Sequence, residues 1–402
     1  MNSVAQSRLK LQLFENIQFI YELSLAKLEL EAFGANYEVT NSLRTFMVDP
    51  EIDRQYLRRR LAYFKSIDGE LTDYHFVQMR NQTRSVNQYL THWFYPYKGK
   101  FHPQMIRALL NIMGVKEGET VLDPFIGSGT AALECQLLGI NCIGFDISPL
   151  CVLISRVKTE SIFVLEEVSK YKDSVFPTTS NYVGQDTLFD RVSMVESADE
   201  RTNNFFKVAE MIAHSDHARR GKDFQKSYHE NLHRMIKSVQ DLKDVVDQLK
   251  IDVGKVEIKE GDARKLPLPD ESVDGIVTSP PYSIALNYVQ NDAHALSALG
   301  YDLNRIKEEF IGVRGQGLTK LQLYERDMML AYSEMYRVLK KGRFCSVIIG
   351  NITLHGQEID ITQNAINYCE SLGFRLVKKI DKVIFGLYNV MQKESILIFE
   401  KL

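Results

Sequence analysis

Residues 1–90 place apolar side chains such as Leu11, Phe14, Ile17, Tyr21 and Leu25 three to four positions apart, a spacing that predicts a helical amino-terminal region. From Thr120 the pattern changes. Short β-branched or apolar runs alternate with amphipathic stretches, as expected for a doubly wound α/β sheet. Strands are expected over 120–125, 141–147, 255–259, 273–278 and 343–349, with two more over 375–383 and 395–400. The last two follow one another without room for a helix, so they should pair as an antiparallel hairpin on the edge of an otherwise parallel, seven-stranded sheet. Residues 151–254 exceed any ordinary crossover and read as a polar, mostly helical insertion. Residues 283–341 form a second long connection, and its IGVRGQG string suggests a closely approaching loop.

Composition narrows the class without naming a partner. With 45% hydrophobic and 25% charged residues, the 402-residue chain resembles an ordinary soluble globular protein, long enough for a catalytic core with additions. No run approaches the ~18 apolar residues of a membrane span, and the amino terminus lacks the order of a secretory signal. A cytoplasmic protein with no membrane partner is expected. Cys135, Cys142, Cys151, Cys345 and Cys369 are scattered and never form a CxxC pair, which argues for buried thiols rather than disulfides or a cysteine zinc site. His214, His217, His229 and His233 lack cysteine or carboxylate support, so no metal is expected. A net charge of −3 leaves a nucleic-acid partner open, because phosphate binding depends on local clusters. Two clusters exist, Arg54 with Arg58–Arg60 and the stretch from Lys207 to Lys237; each could be a DNA contact or simply a solvated helix face.

Three strings carry chemistry. In VLDPFIGSGTAALECQLLG (121–139) an apolar run ends in Asp123, and Gly127 and Gly129 then space a turn into a helix of small residues. Such a turn lets a ligand approach the backbone and presents a helix amino end to it, which suits a nucleotide-like cofactor; a bare strand-to-helix turn is the competing reading. Asp146 closes the next strand, about 20 residues on, where a carboxylate can accept hydrogen bonds from ribose hydroxyls or simply cap a helix. Asp262 stands at the end of the third strand, within plausible reach of an adenine amino group, with capping again the competitor. TSPPY (278–282) follows the fourth strand, on the edge where open α/β sheets bind ligands. Its two prolines hold the preceding carbonyls outward as acceptors, and Tyr282 offers a ring for stacking.

DPFxGSGT together with TSPPY resembles the cofactor and catalytic motifs of the DNA amino-methyltransferases, which modify cytosine N4 or adenine N6. The resemblance implies a Rossmann-like class I methyltransferase fold and S-adenosylmethionine as cofactor. It assigns cofactor contacts to Asp123, Pro124, Phe125, Gly127 and Gly129, with Asp146 and Asp262 beside them. HWFYPYKGKFHP (92–103) is similar to the segment that precedes the cofactor motif in this family, so Lys100 and Phe101 are matching candidates for the methionine end. The family's Ser-Pro-Pro-Tyr form favours cytosine N4. The catalytic set implied is therefore Ser279, Pro280, Pro281 and Tyr282. Residues 91–150 and 255–402 make up the implied catalytic domain, and 151–254 a candidate recognition region. The short spacing from Asp262 to Ser279 departs from members that carry target recognition between these motifs, so recognition must lie elsewhere, with the insertion, the loop at 283–325 and the amino-terminal helices all candidates.

The expected substrate is double-stranded DNA with the target base flipped out, because the amine lies inside the duplex. The family's setting implies a restriction-modification or stand-alone modification system, with a cognate restriction endonuclease as partner. Transfer would be direct: no Pro-Cys pair is present, which disfavours cysteine-dependent carbon-5 methylation. Adenine N6, a base amine in RNA, and a non-catalytic nucleic-acid-binding regulator remain the alternatives.

Overall fold

The central strands are apolar along nearly their whole length because helices cover both faces of the sheet they build. The computed structural model describes residues 8–81, 85–175, 195, 198–281, 288–354, 357–385 and 391–402. Five short strands come first: β1 (Leu9–Leu13), β2 (Tyr37–Thr40), β3 (Thr45–Val48), β4 (Phe64–Ile67) and β5 (Glu70–Leu71). The larger sheet follows with β6 (Thr120–Asp123), β7 (Asn141–Asp146), β8 (Val256–Glu260), β9 (Val273–Thr278) and β10 (Leu339–Gly350). A small hairpin, β11 (Ile352–Leu354) and β12 (Gln357–Ile359), precedes β13 (Phe374–Phe385) and β14 (Met391–Lys401).

The large sheet runs β13-β14-β10-β9-β6-β7-β8. β10, β9, β6, β7 and β8 pair in parallel, while β14 lies antiparallel to both β10 and β13. This is the seven-stranded, mostly parallel α/β sheet with a terminal antiparallel hairpin that the hydrophobic pattern predicts. Strand order reverses between β6 and β9, which opens a crevice beyond their carboxyl ends.

The amino-terminal region is not purely helical. Its strands form an antiparallel sheet in the order β2-β3-β1-β4-β5, accompanied by helices at Ile20–Ala32, Arg54–Arg60 and Asp73–Met79. The three-to-four spacing misleads because Leu11 belongs to a strand that alternates inward Leu11 and Leu13 with outward polar residues, while Phe14 and Ile17 lie in the following turn. Only Tyr21 and Leu25 fall on a helix. Side chains of this sheet, including Leu11, Phe46 and Phe64, share one hydrophobic cluster with Val121 of β6 and Ile126 in the turn after it. Buried Glu29 fastens the junction by accepting from Asn111 Nδ2 at 2.6 Å and Ala62 N at 2.8 Å. In the early arginine cluster Arg60 is buried and donates to Asn111 Oδ1, Arg58 pairs with Glu70 and Asp73, and Arg54 pairs with Glu70, while Arg59 is exposed.

Helix Pro149–Glu160 packs on β7 and β8 as their crossover, so the inserted part begins beyond it rather than at residue 151. Within the insertion, helices Glu200–Arg220 and Phe224–Leu249 pack together and bury Phe205, Phe206, Tyr228 and Met235 against Trp93 and Phe94. Trp93 Nε1 donates to Ser238 Oγ at 2.8 Å, and the Arg234 guanidinium lies 4.0 Å from the Trp93 ring centroid. The basic residues here are partly committed as well: Arg220 and Lys222 pair with Asp216, and Lys237 with Asp241. The five cysteines are buried free thiols. Among the described residues no cluster of histidine, cysteine or carboxylate could hold a metal, and no helix is long and apolar enough to cross a membrane.

Candidate active site

The carboxyl ends of the parallel strands, the segment before β6 and a stretch after β9 line one cleft. Its wall next to β6 consists of Pro124, Phe125, Gly127 and Ser128. Gly127 adopts φ 50°, and a Cβ there would lie 3.3 Å from Tyr97 Cε1, so glycine keeps this side of the cleft open. Gly129, the N-cap of helix Thr130–Leu137, has a different task. It does not line the cleft; at φ 76° its Cα packs against helix Pro149–Glu160, where a Cβ would stand 2.6 Å from Ser155 Cβ.

Two buried carboxylates stand beside this turn. Asp146 lines the cleft and accepts from Gly127 N at 2.9 Å and Ser148 N at 2.8 Å, which locks the β7 end to the glycine turn. Burial pushes its carboxyl up to about 6, against the pull of those N–H donors. Asp123 lies beneath the cleft rather than on its wall. It accepts from Phe125 N at 3.1 Å and from Thr278 Oγ1 at 2.6 Å, tying the end of β6 to the end of β9. Its second oxygen has no partner, and burial raises its carboxyl to about 7. Sequence reasoning counted Asp123 among the cofactor contacts; its place makes it a strut between the two motif strands.

The segment before β6 supplies Tyr97, Gly99, Lys100 and Phe101 to the cleft. Tyr95 holds a left-handed φ of 62°, uncommon for an aromatic residue, and its carbonyl accepts from Lys100 Nζ at 2.6 Å; the His92 carbonyl accepts from the same amine at 3.1 Å. Burial lowers the Lys100 amine to about 7. Asp262 also lines the cleft, but not as an unengaged acceptor: its oxygens accept from Arg264 N, Nε and Nη2 at 2.8–2.9 Å. Ser279 and Pro281 complete the wall past β9, while Pro280 is buried and does not line it. Tyr282 lies outside the described residues.

The structure thus brings Lys100, Phe101, Pro124, Phe125, Gly127, Asp146, Asp262, Ser279 and Pro281 around one cleft, and leaves Asp123, Gly129 and Pro280 behind its surface. It adds Tyr97, Ile147, Ala263, Glu309, Phe310 and Ile311. Tyr97 was within reach, since it belongs to the string that supplied Lys100. Ile147 and Ala263 directly follow two flagged carboxylates and were findable by adjacency. The Glu309–Ile311 wall carries no local signal beyond the glycines just after it.

Comparison with known proteins agrees with this geometry. The family model for the UPF0020 (RMKL-like) methyltransferase domain matches residues 94–312, more than half the chain. The Type II methyltransferase M.BsoBI of Geobacillus stearothermophilus is 23% identical over 346 residues, covering 70% of this chain and 66% of its own length. The Type II methyltransferase M.MjaII of Methanocaldococcus jannaschii is 46% identical over 69 residues, 17% of this chain and 13% of that one. A tRNA (guanine(10)-N2)-dimethyltransferase of Methanothermobacter thermautotrophicus is 37% identical over 95 residues, 24% of each chain. The chain therefore spans just under two thirds of M.BsoBI and smaller parts of the other two.

Proposed function

We propose that this chain, which belongs to the RMKL-like methyltransferase domain family, transfers a methyl group from S-adenosylmethionine to the exocyclic N4 amine of cytosine in DNA. The observation that carries the reading is the meeting of Ser279 and Pro281 with Phe125, Gly127 and Asp146 around a single cleft. A target amine at the Ser279 rim and a cofactor along the glycine turn would share one enclosed space. The Type II methyltransferases among the relatives support DNA as the substrate.

The residues present fit the cofactor. Asp146 can take ribose hydroxyls on its remaining lone pairs, Gly127 leaves room where a Cβ would stand, and Ile147, Ala263 and Phe310 supply apolar surface for a purine. Lys100 and Phe101 would face the methionine part, the amine offering a positive charge to its carboxylate below pH about 7. When bound, S-adenosylmethionine supplies an electrophilic methyl group on a sulfonium sulfur.

The protein's contribution is placement. Ser279 Oγ would accept from the base amine and turn its lone pair inward, and Tyr282 would stack on the flipped ring. Aligning the two reactants supplies several kcal/mol of the barrier with no covalent enzyme intermediate. The insertion beyond residue 160 is the candidate DNA reader, and a restriction-modification setting with a cognate endonuclease follows from the family resemblance.

The test incubates the protein with methyl-labelled S-adenosylmethionine and either unmethylated genomic DNA or total RNA, then identifies labelled nucleosides by mass spectrometry. N4-methyldeoxycytidine is the expected product. N6-methyldeoxyadenosine would overturn the reading of Ser279. Label in RNA alone, as the tRNA methyltransferase relative would suggest, would move the substrate class. No label together with no cofactor binding would indicate a non-catalytic nucleic-acid-binding regulator.

A further inference from the structure

One wall of the cleft is held by an arginine–carboxylate network that the transfer itself does not use. Glu309, Phe310 and Ile311 reach the cleft from the end of helix Leu303–Glu309 and the glycine-rich loop after it. Opposite in the chain, Asp262 reaches it from the end of β8. Arg264 joins the two. Its Nε and Nη2 clasp the Asp262 carboxylate at 2.8–2.9 Å, Nη2 also donates to the Glu309 carbonyl at 3.0 Å, and Nη1 meets Asp327 Oδ2 at 3.2 Å. Asp327, on helix Gly317–Val338, is only 1% exposed. The same carboxylate oxygen accepts from Arg314 Nη2, in the glycine-rich loop that continues from Ile311.

This buried carboxylate meets three guanidinium groups, the third being the more exposed Arg326 at 3.7 Å from its other oxygen; two of them, Arg264 and Arg314, each reach a different cleft-forming segment, which makes Asp327 a fixed node. The Arg264 guanidinium reaches three segments at once, at Asp262, Glu309 and Asp327, from three nitrogens spread across one plane; a lysine ammonium, with its donors on a single nitrogen, lacks that span and the two-pronged grip on Asp262. The Asp262 carboxylate is consequently fixed in orientation rather than free to rotate. The 309–311 wall is tied at Glu309 by Arg264 and just beyond Ile311 by Arg314. Gly312 and Gly315, at φ 81° and 77°, let the chain turn twice within this span and so leave it dependent on its side-chain ties.

We propose that Asp327 is a positioning residue for the nucleoside end of the cofactor cleft, acting through Arg264 on Asp262 and Glu309 and through Arg314 on the loop that carries Phe310 and Ile311. The inference rests on the cleft being the S-adenosylmethionine site, and it goes further by assigning binding strength to three residues that touch no cofactor. Removing the node lets Arg264 settle wholly on Asp262 and frees the loop. The cost falls on ground-state binding of the nucleoside and not on the chemical step.

The experiment measures equilibrium binding of S-adenosylhomocysteine and of 5′-methylthioadenosine, together with kcat at saturating cofactor, for the full chain and for Asp327→Asn, Arg264→Lys and Arg314→Gln. Asp327→Asn and Arg264→Lys should weaken both ligands in the same proportion, by roughly tenfold or more, with kcat within about threefold of the parent. Arg314→Gln should give a smaller loss of the same kind. Unchanged affinities in folded variants would overturn the proposal, as would a fall in kcat without a fall in affinity, or a loss confined to S-adenosylhomocysteine. If Asp327→Asn does not fold, Arg314→Gln, which unties only the loop, decides the matter by the same criteria. A parent protein that binds neither ligand would instead refute the cofactor reading on which the proposal stands.

Discussion

Gly129 and Gly127 belong to the same motif, yet the structure gives them opposite jobs, and Gly129→Ala separates the two. An alanine at 129 must hold φ 76°, which costs an L-residue about 1–2 kcal/mol. Its Cβ would also lie 2.6 Å from Ser155 Cβ and 2.9 Å from Ser155 Cα, so the glycine turn and helix Pro149–Glu160 must move apart. Overpacking of this kind costs about 1–3 kcal/mol. The expected loss is therefore roughly 2–5 kcal/mol, a large share of the ~5–15 kcal/mol typical of a folded domain. Urea unfolding followed by circular dichroism measures it. Ser155→Gly in the same background removes the nearest clashing atom but not the backbone strain, and itself costs about 1 kcal/mol in a helix interior. The two changes should therefore couple favourably by about 1 kcal/mol or more. A Gly129→Ala protein within about 0.5 kcal/mol of the parent, or strict additivity in the double variant, would refute the assignment of Gly129 to helix packing.

Gly127→Ala should behave differently: its Cβ makes its one tight contact with the movable ring of Tyr97, so stability should fall by about 1–2 kcal/mol while S-adenosylhomocysteine affinity falls by roughly tenfold, read by calorimetry. Asp123 gives a pH signature. Its folded carboxyl titrates near 7 against about 3.9 when unfolded, so its contribution to stability is fully present below pH ~4 and is lost as pH rises through 7. Asp123→Asn does not titrate, so its stability relative to the parent should climb between pH 4 and 7 by an amount on the order of a few kcal/mol; a flat difference across that range counts against the buried, partnerless oxygen. Glu134 is wholly buried and accepts from Arg107 Nε at 2.8 Å and from Tyr89, with His92 Nε2 at 2.9 Å. Glu134→Ala strands the Arg107 charge and should cost about 3–5 kcal/mol by the same urea assay, whereas a loss under 1 kcal/mol would mean that water replaces the carboxylate.

Much of the site was legible because its chemistry is local. A glycine that keeps a cleft open, an acid at a strand end and a proline pair at the next strand end each depend on a few consecutive residues, so Gly127, Asp146, Ser279 and Pro281 could be named from the string and do line one cleft. The order of the sheet's elements was likewise legible, since two-sided burial leaves continuous apolar runs and the final pair of strands is too close in sequence for a crossover helix.

What the string could not express is which neighbour each residue meets. DPFxGSGT reads as one ligand loop, but Asp123 ends beneath the cleft, bonded to Thr278, and Gly129 ends against Ser155; both fates were decided by strands and helices far along the chain. The amino-terminal region failed for a related reason. Leu9, Leu11 and Leu13 alternate as a strand only because β3 and β4 flank β1, and the helix-like spacing of Leu11, Phe14 and Ile17 is equally compatible with a strand and its turn. The Glu309–Ile311 wall had no sequence signal beyond the glycines that follow it, and its ties to Arg264, Arg314 and Asp327 had none, because three separate segments make one network only when packing brings their charges together. Local patterns determined the strands and the groups able to bind and react, and long-range packing, where each contact joins residues distant in the chain, decided which of those groups face the cleft and which hold it open.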